Sequence, residues 1–394
     1  MSLNRTPSGE RIHIGIFGKR NAGKSSIINA ITGQELAIVS EVKGTTTDPV
    51  LKSMELLPLG PVVLIDTPGL DDEGELGMLR VKKAYQMLNK TDVAVLVVDG
   101  TVGLTNEDQV ILDRIQSKKI PYVLVMNKAD CVDKKEQTDG IWVSAFTGEN
   151  IQELKELIGN QLVQDAKEKK VVGDLLKPLD FVVLVTPIDA SAPKGRLILP
   201  QQLTIRDILD VSAVPIVVKD TELEEMLAKL QVRPKMVITD SQVFGKVAKI
   251  VPEDVPLTSF SILMARYKGD LKTVVGGAYA LDELQDGDMI LISEGCTHHR
   301  QCEDIGTVKM PKWVLEHSCM DVKFEFTSGT EFPDDLTKYR MIIHCGGCML
   351  NEKEMKYRLK CAEDAGVPMT NYGTAIAHMK GILKRSLEVF GEEM

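Results

Sequence analysis

The chain has 394 residues, of which 43% are hydrophobic, and it carries a formal net charge of −10 at pH 7. This length predicts two or three domains, and the negative charge disfavours nucleic-acid binding except through a local basic patch. No run of about 18 apolar residues occurs, the first ten residues are polar, and the seven cysteines fit a reducing compartment. We therefore expect a cytoplasmic protein that binds neither membranes nor nucleic acid.

The first predicted element is a strand over residues 11–17 that runs directly into a glycine-rich loop. Residues 18–25 read GKRNAGKS and match the phosphate-binding pattern G-x-x-x-x-G-K-S/T, and a helical pattern follows over residues 26–31. This order places loop N–H groups around nucleotide phosphates, with Lys24 on the β- and γ-phosphates and the Ser25 hydroxyl on Mg²⁺. The predicted phosphate-side residues are Asn21, Ala22, Gly23, Lys24, Ser25 and Ser26.

Two further segments are expected at the γ-phosphate. Residues 62–65 (VVLI) predict a strand that ends in Asp66-Thr67-Pro68-Gly69, which places Asp66 in the Mg²⁺ shell and the Gly69 N–H on the γ-phosphate. Residues 44–48 (GTTTD) lie where a first switch belongs, so Thr46 is the predicted sensor of Mg²⁺ and the γ-phosphate. The predicted catalytic set is Lys24, Thr46, Asp66 and Gly69.

Two later segments indicate guanine as the base. A strand over residues 123–126 leads into NKAD, and the Asp130 carboxylate of that motif accepts from both N–H donors on the guanine edge. Val143 leads into Ser144 and Ala145, whose backbone contacts guanine O6. The predicted base-side residues are Asn127, Lys128, Asp130, Ser144 and Ala145. These ordered motifs resemble the translation-factor-like class of small GTPases over roughly the first 165 residues, which implies GTP and GDP as ligands.

Asn21, together with the G-T-T-x-D switch, resembles the potassium-activated GTPases related to the tRNA-modification and Era groups. That resemblance implies a K⁺ ion held by Asn21 in place of an arginine finger. Leu70 follows Gly69 where a glutamine would orient the attacking water, so we expect slow hydrolysis. An acidic residue at Asp72, Glu73 or Glu75 stays open as a helper, although a solvated loop is the better explanation for any single one of these acids.

A linker over residues 164–178 precedes a second region of alternating strands and helices. The strands are expected at 181–185, 215–218 and 235–239, and the helices at 203–209, 221–230 and 241–250. Such alternation predicts a small parallel sheet. Thr221 is expected to cap the middle helix, with Glu224 completing a capping box. The region shows no catalytic constellation, which makes it a candidate for dimerisation.

The last region places thiols and imidazoles after two apolar strands. Residues 288–293 precede Cys296-Thr297-His298, and residues 340–343 precede His344-Cys345-Gly346-Gly347-Cys348, with 45 residues between the two histidines. Further elements are expected at 258–267, 308–317, 322–326, 351–365 and 374–388. They predict a second parallel α/β unit that carries its candidate ligands at the carboxyl ends of strands.

Spacing alone leaves the metal open. Zinc would take the three cysteines and one histidine as a closed site, whereas a [4Fe–4S] cluster would take the cysteines and leave one iron for another ligand. Glu303, water and an external ligand are further possibilities for that position. His298 and His344 can instead be strand-end residues that only form hydrogen bonds, and a site without metal also stays open.

The joint pattern resembles the HydF family of [FeFe]-hydrogenase maturation GTPases across the whole chain. The resemblance implies a [4Fe–4S] cluster on Cys296, Cys345 and Cys348, with His298 and His344 nearby or at the fourth position. It further implies a homodimeric scaffold that receives a di-iron precursor, built with two radical-SAM maturases, and transfers it to apo-[FeFe]-hydrogenase.

The expected architecture is three α/β domains. They are a P-loop GTPase domain (1–168), a dimerisation domain (178–256) and a cluster-binding domain (257–394). Two other functions stay open: a ribosome- or tRNA-associated GTPase with a zinc-stabilised C-terminal domain, and a redox enzyme that uses a cluster for electron transfer. The acidic charge disfavours the first, and the lack of a flavin or nicotinamide pattern disfavours the second.

Overall fold

The computed structural model describes residues 8–33, 50–56, 60–69, 85–133, 139–162, 169–187, 197–295, 305–329, 331–333 and 335–393. The chain divides into two compact units, Met1–Lys167 and Glu168–Met394. None of the helices in these described ranges has the length and apolar character needed to cross a membrane.

A six-stranded sheet frames the first unit. Its strands are β1 (Ile12–Phe17), β2 (Val50–Leu56), β3 (Gly60–Asp66), β4 (Val93–Asp99), β5 (Tyr122–Asn127) and β6 (Ile141–Trp142). The order is β2-β3-β1-β4-β5-β6; the β2–β3 pair is antiparallel and the other pairs are parallel. The helices are α1 (Lys24–Thr32), α2 (Asn106–Ser117) and α3 (Ile151–Leu162).

Helices cover both faces of this sheet, which explains its continuous apolar strands. Successive residues of β4 belong to two different hydrophobic cores, one with α1 and α3 and the other with α2. The two sets are Val93, Val95 and Val97, and Ala94, Leu96 and Val98. Because β1, β3 and β5 run parallel, the motifs that follow them meet at one edge of the sheet.

The second unit contains two four-stranded parallel sheets. The first has the order β10-β9-β7-β8 and the second β12-β11-β13-β14, in the numbering that follows. The strands are β7 (Phe181–Val185), β8 (Val214–Val218), β9 (Met236–Thr239), β10 (Leu257–Ser259), β11 (Met289–Glu294), β12 (Lys323–Ser328), β13 (Met341–His344) and β14 (Met369–Asn371). The helices are α4 (Leu199–Asp210), α5 (Leu223–Lys229), α6 (Phe244–Ile250), α7 (Phe260–Lys268), α8 (Leu271–Ala278), α9 (Met310–Ser318), α10 (Glu352–Asp364), α11 (Tyr372–Met379) and α12 (Leu383–Leu387).

One hydrophobic core joins the two sheets of this unit. It contains Val183 and Ile238 of the first sheet together with Leu291 and Ile342 of the second. The neighbouring residues on β11 and β13 face the opposite way and belong to a separate core. The two sheets therefore share buried apolar surface, and the division of this unit into two domains stays a prediction.

The expected α/β class with parallel sheets is confirmed, but three local predictions are wrong. The helix expected from 221 begins at Leu223 after a turn at 219–222, its N-cap is Glu222, and no side chain caps it. The helix expected from 258 begins at Phe260, because residues 257–259 form β10 and Ser259 caps α7. The helix expected over 374–388 is two helices, separated at Gly381, whose φ of 69° lies in the left-handed region.

Candidate nucleotide and metal sites

The loop after β1 has the contacts of a phosphate-binding loop. Lys24 is 8% exposed, and its Nζ donates to the carbonyl oxygens of Gly18 at 3.0 Å and Lys19 at 2.7 Å. Gly23 has a φ of 92°, and a Cβ there would lie 2.1 Å from Asn127 Nδ2. The same amide donates to the Ala22 carbonyl at 2.9 Å. Glycine at position 23 therefore lets the loop lie directly against the base-side motif.

The end of β3 supplies a donor set suited to Mg²⁺. Ser25 Oγ donates to Asp66 Oδ2 at 3.2 Å, and Asp66 is 5% exposed. Burial raises the pKa of Asp66, while the Lys24 charge and the Ser25 hydrogen bond oppose that rise. A buried carboxylate beside a hydroxyl offers the hard oxygen ligands that Mg²⁺ prefers. Thr67 Oγ1 donates to the Ile16 carbonyl at 2.6 Å and so holds this strand end against β1.

The base-side residues also meet at the sheet edge. Asp130 Oδ1 accepts from Ser144 Oγ at 2.5 Å, and this hydrogen bond lowers the pKa of Asp130. Asn127 Oδ1 accepts from the Ala145 N–H at 3.2 Å. An ionised Asp130 with an exposed carboxylate is the acceptor that the guanine edge requires.

The remaining predicted nucleotide residues are only partly described. Ser26 lies in the first turn of α1, Asn21 is exposed with a φ of 60°, and Lys128 Nζ lies 2.5 Å from Asp99 Oδ2. Gly69 is the last residue before the gap at 70–84. Thr46 and the acidic residues at 72, 73 and 75 lie outside the described residues.

A tight turn after β13 holds the two described motif cysteines. Gly347 has a φ of 62°, and a Cβ there would lie 2.5 Å from Met355 Sδ, so the turn needs glycine. The N–H groups of Gly295 and Gly347 lie 3.0 Å and 3.4 Å from Cys345 Sγ. Gly295 directly follows β11 and is the last described residue before the gap at 296–304. Cys296, His298 and Glu303 come next in the sequence and lie outside the described residues.

Cys348 is half-buried, and its carbonyl oxygen contacts the buried Lys268. Burial raises the pKa of the Cys348 thiol to about 11; Cys345 adds to the rise, and Lys268 opposes it. Lys268 is 2% exposed, and its Nζ donates to the carbonyl oxygens of Cys348 at 3.2 Å and Leu350 at 2.9 Å. The Lys268 ammonium group thus holds the backbone at Cys348 and Leu350 in place.

His344 is fully buried, and both of its ring nitrogens are engaged. Nδ1 lies 2.7 Å from the Cys345 carbonyl, and Nε2 lies 3.0 Å from Arg358 Nη1. A carbonyl only accepts and a guanidinium only donates, so Nδ1 carries the proton and Nε2 accepts. This arrangement leaves neither nitrogen for a metal. The prediction that His344 is a ligand requires these contacts to break, whereas the hydrogen-bonding alternative requires no change.

Arg358, on α10, forms hydrogen bonds with several polar groups next to the cysteine turn. It is fully buried; its Nε donates to Glu354 Oε1 at 3.0 Å, Nη1 to Ser293 Oγ at 3.3 Å and Nη2 to the Gly329 carbonyl at 2.9 Å. Sequence reasoning did not find this residue. Its one signal is the i, i+4 spacing from Glu354, which is common on exposed helix faces and does not indicate burial.

The second unit matches two family models. The hydrogen maturase F dimerization domain covers residues 171–269, and the hydrogen maturase F tetramerization domain covers residues 272–389. The chain belongs to the HydF family. Within this HydF chain, residues 13–128 also match the model described as a 50S ribosome-binding GTPase. The family predicted from the joint pattern is therefore confirmed, as is the GTPase character of the first unit.

Curated relatives resemble only part of this HydF chain. The tRNA modification GTPase MnmE from Nitrosomonas eutropha is 36% identical over 156 residues, which is 38% of this chain and 34% of that protein. GTPase Der from Kosmotoga olearia is 33% identical over 220 residues, 50% of this chain and 49% of that protein. The chain thus spans between a third and a half of these relatives.

Solved structures resemble the chain weakly. Era from Aquifex aeolicus, bound to GDP and AlF4⁻, aligns with a TM-score of 0.36 and 21% identity. That alignment covers 52% of this chain and 92% of the Era chain. A TM-score this low supports no conclusion about function.

Proposed function

We propose that this chain is a GTP-hydrolysing scaffold that holds a [4Fe–4S] cluster and passes a di-iron unit to apo-[FeFe]-hydrogenase. The observation that carries the proposal is the hydrogen bond from the Gly295 N–H to Cys345 Sγ. Gly295 directly precedes Cys296 in the sequence, so the two halves of the cysteine motif are joined by this contact. Membership of the HydF family supports the same function.

The described residues fit the cluster. Cys345 and Cys348 lie on one turn at the carboxyl edge of a parallel sheet, where such folds place ligands. Two N–H groups already reach Cys345 Sγ, and hydrogen bonds of this kind stabilise a thiolate and tune a cluster's potential. Three cysteine ligands leave one iron with an exchangeable position when the cluster is bound. Cys296 would be the third ligand, with His298, Glu303, water or the precursor itself at that position.

His344 has a positioning role in this proposal. Its Nδ1–H is directed at the Cys345 carbonyl, and its Nε2 is held by Arg358. The pair fixes the backbone that carries Cys345. The cation that acts on the thiols is Lys268, which opposes the rise in the pKa of Cys348 and so favours the thiolate.

The first unit is proposed to hydrolyse GTP to GDP and phosphate. Ser25 and Asp66 would hold Mg²⁺, Lys24 would neutralise the β- and γ-phosphates, and Asp130 would select guanine. The Thr46 backbone and hydroxyl and the Gly69 N–H would sense the γ-phosphate. A slow rate and activation by K⁺ at Asn21 complete this part of the proposal.

The K⁺ proposal has a direct test. GTP hydrolysis should be faster in KCl than in NaCl at equal ionic strength, and replacing Asn21 by alanine should remove the difference. An Arg20→Ala variant, which changes the adjacent loop residue, is the matched control and should keep the salt preference. Equal rates in the two salts for the unmodified chain would contradict K⁺ activation.

The nucleotide is proposed to act as a switch. Contacts from Thr46 and Gly69 would order the loops around GTP, and hydrolysis would release them. Coupling of this kind is reciprocal, so cluster loading should change nucleotide affinity, either directly or when partners are bound. Equal nucleotide affinity with and without cluster, in the chain alone and with partners, would contradict the coupling.

The partners follow from the family. We propose a homodimer formed through residues 178–256, and the family models for dimerization and tetramerization domains support self-association. Two radical-SAM maturases would build the precursor, and apo-[FeFe]-hydrogenase would receive it, in the cytoplasm and without nucleic acid or membrane contacts. The three domains at 1–168, 178–256 and 257–394 belong to the same proposal.

Anaerobic reconstitution with iron and sulfide tests the central part. After reduction, EPR should show a [4Fe–4S]⁺ signal that shifts when cyanide or imidazole is added. Alanine at Cys296, Cys345 or Cys348 should abolish the signal, whereas alanine at Cys361, a partly buried cysteine on α10, should leave it intact. A tightly held zinc ion and no EPR signal would instead support the zinc-stabilised, ribosome- or tRNA-associated GTPase.

A further inference from the structure

A cluster of metal-ligating side chains lies apart from the cysteine motif. Asp282 lies in the 3-10 helix Tyr279–Glu283, His317 in the last turn of α9, and His378 in the last turn of α11. Asp282 Oδ1 is 2.8 Å from His317 Nε2, and Asp282 Oδ2 is 2.9 Å from His378 Nε2. One ligand atom from each residue lies within 4.8 Å of the other two. Three separate elements thus direct two imidazoles and one carboxylate at a common point.

The two imidazole rings are held in place by packing. The His317 and His378 side chains are 24% and 12% exposed, whereas the Asp282 side chain is 51% exposed. The imidazole rings cross at 66° with centroids 5.6 Å apart, and the Tyr279 ring lies 5.1 Å from the His378 ring in an edge-on arrangement. The nitrogen ligands are therefore preorganised, and solvent reaches the site from the carboxylate side.

The Asp282 carboxylate contacts the two histidines, whereas the neighbouring acidic residue pairs with an arginine. Glu283, the next residue, is directed to Arg340, whose Nη2 lies 2.8 Å from Glu283 Oε2. Both Asp282 oxygens are directed to imidazole nitrogens. Two neutral imidazoles and one carboxylate form a nitrogen–oxygen set that suits zinc and other divalent first-row metals.

We propose that Asp282, His317 and His378 bind a divalent first-row metal ion, specifically Zn²⁺, and leave its fourth position open to solvent. Binding through Nε2 requires each neutral imidazole to carry its single proton on Nδ1, so the Nε2 proton passes to solvent, Nδ1 takes one up, and a neutral ring releases no net proton. Metal–ligand bonds of about 2.0–2.2 Å place adjacent ligands about 3.3 Å apart. The carboxylate must therefore move about 0.5 Å away from the rings, which an exposed side chain on a short helix allows. Zn²⁺ binds such sites more tightly than Fe²⁺ or Co²⁺, and it tolerates an irregular geometry.

The test uses the full chain with Cys345 and Cys348 replaced by alanine, because thiolates also bind zinc. Equilibrium dialysis at micromolar free Zn²⁺ followed by elemental analysis should give one more zinc ion per chain than a variant that also carries His317→Gln and His378→Gln. Each single histidine variant and Asp282→Asn should weaken zinc binding at least about tenfold. Glu283→Gln is the matched control and should keep full zinc binding, because its carboxylate contacts Arg340 instead.

Two further readouts separate ligand loss from misfolding. Co²⁺ added to the chain without Cys345 and Cys348 should give visible d–d bands that are lost in the variant that also carries His317→Gln and His378→Gln. Zn²⁺ should raise the melting temperature of the parent chain but not that of the double variant, because only a folded binding site gains from the ion. Equal zinc content in parent and double variant, or no Co²⁺ bands from the parent, would overturn the proposal and leave the three residues as a hydrogen-bonded cluster only. The outcome is independent of cluster loading and of GTP hydrolysis.

Discussion

The nucleotide loop of the first unit and the cysteine turn of the second both lie at the carboxyl ends of parallel strands, but different contacts hold them. Lys24 bonds to carbonyls five and six residues before it. The cysteine turn is instead fixed by Lys268, 80 residues before Cys348, and by Arg358, 14 residues after His344. A site of the first kind is a local motif, whereas one of the second kind depends on how distant elements pack.

The largest effect should come from Arg358→Met. Removing the guanidinium leaves the Glu354 carboxylate buried at 4% exposure and His344 Nε2 without its donor. Loss of one partner of a buried charge pair costs about 3–5 kcal/mol of unfolding free energy. Urea unfolding of the full chain should show this loss in one transition, together with lower cluster content after reconstitution.

Lys356→Met is the matched control for that prediction. Lys356 lies on the same helix, is 54% exposed and pairs with Glu352 at 2.5 Å. An exposed pair contributes about 0–1 kcal/mol, so this variant should unfold almost like the parent chain. Equal losses of unfolding free energy for Arg358→Met and Lys356→Met would show that the buried hydrogen bonds of Arg358 do not stabilise the cysteine turn.

Lys24→Ala should affect the other site and leave the cysteine turn intact. Removing a buried cation from a phosphate partner costs about 2–5 kcal/mol, so GTP affinity and turnover should fall by about 30-fold to several thousandfold. Fluorescent-nucleotide titration and phosphate release measure the two effects. Lys19→Ala is the control, because its ammonium pairs with Glu107 at 3.3 Å. A Lys24→Ala chain that lost its cluster while still binding GTP would break the contrast between the two sites.

The smallest effect should come from the glycine of the cysteine turn. Gly347→Ala adds a Cβ at a φ of 62° and against Met355 Sδ, so it should cost about 2 kcal/mol of unfolding free energy and reduce cluster content. Gly366→Ala has a similar φ of 66° but meets nothing within 4 Å, so about 1 kcal/mol is expected. Chemical denaturation of both variants isolates the contact with Met355. Identical values would show that the methionine gives way without cost.

The nucleotide site of the first unit could largely be predicted from the sequence, because its contacts join residues that are close in the chain or that follow neighbouring strands. Each nucleotide motif follows a strand that the apolar run itself reveals, and the parallel sheet then gathers the motifs at one edge. The structure brings together Asn127 and Ala145, and Ser25 and Asp66, as those motifs predict. The same logic located Cys345 and Cys348 at the end of β13. The wrong helix starts at 221 and 258 arose because a turn and a short strand have weak periodicity.

The sequence by itself determined the α/β class, the nucleotide motifs and the pairing of two cysteines on a glycine turn, because these depend on residues that are neighbours in the chain. Only the tertiary structure decided that His344 bonds to Arg358, that one core joins the two sheets of the second unit, and that Asp282 meets His317 and His378 from 35 and 96 residues away. Hydrophobic periodicity indicates which face of an element is buried but not which element covers it. Which element covers a buried face is decided when the strands and helices pack, and this packing determines which distant polar residues come into contact.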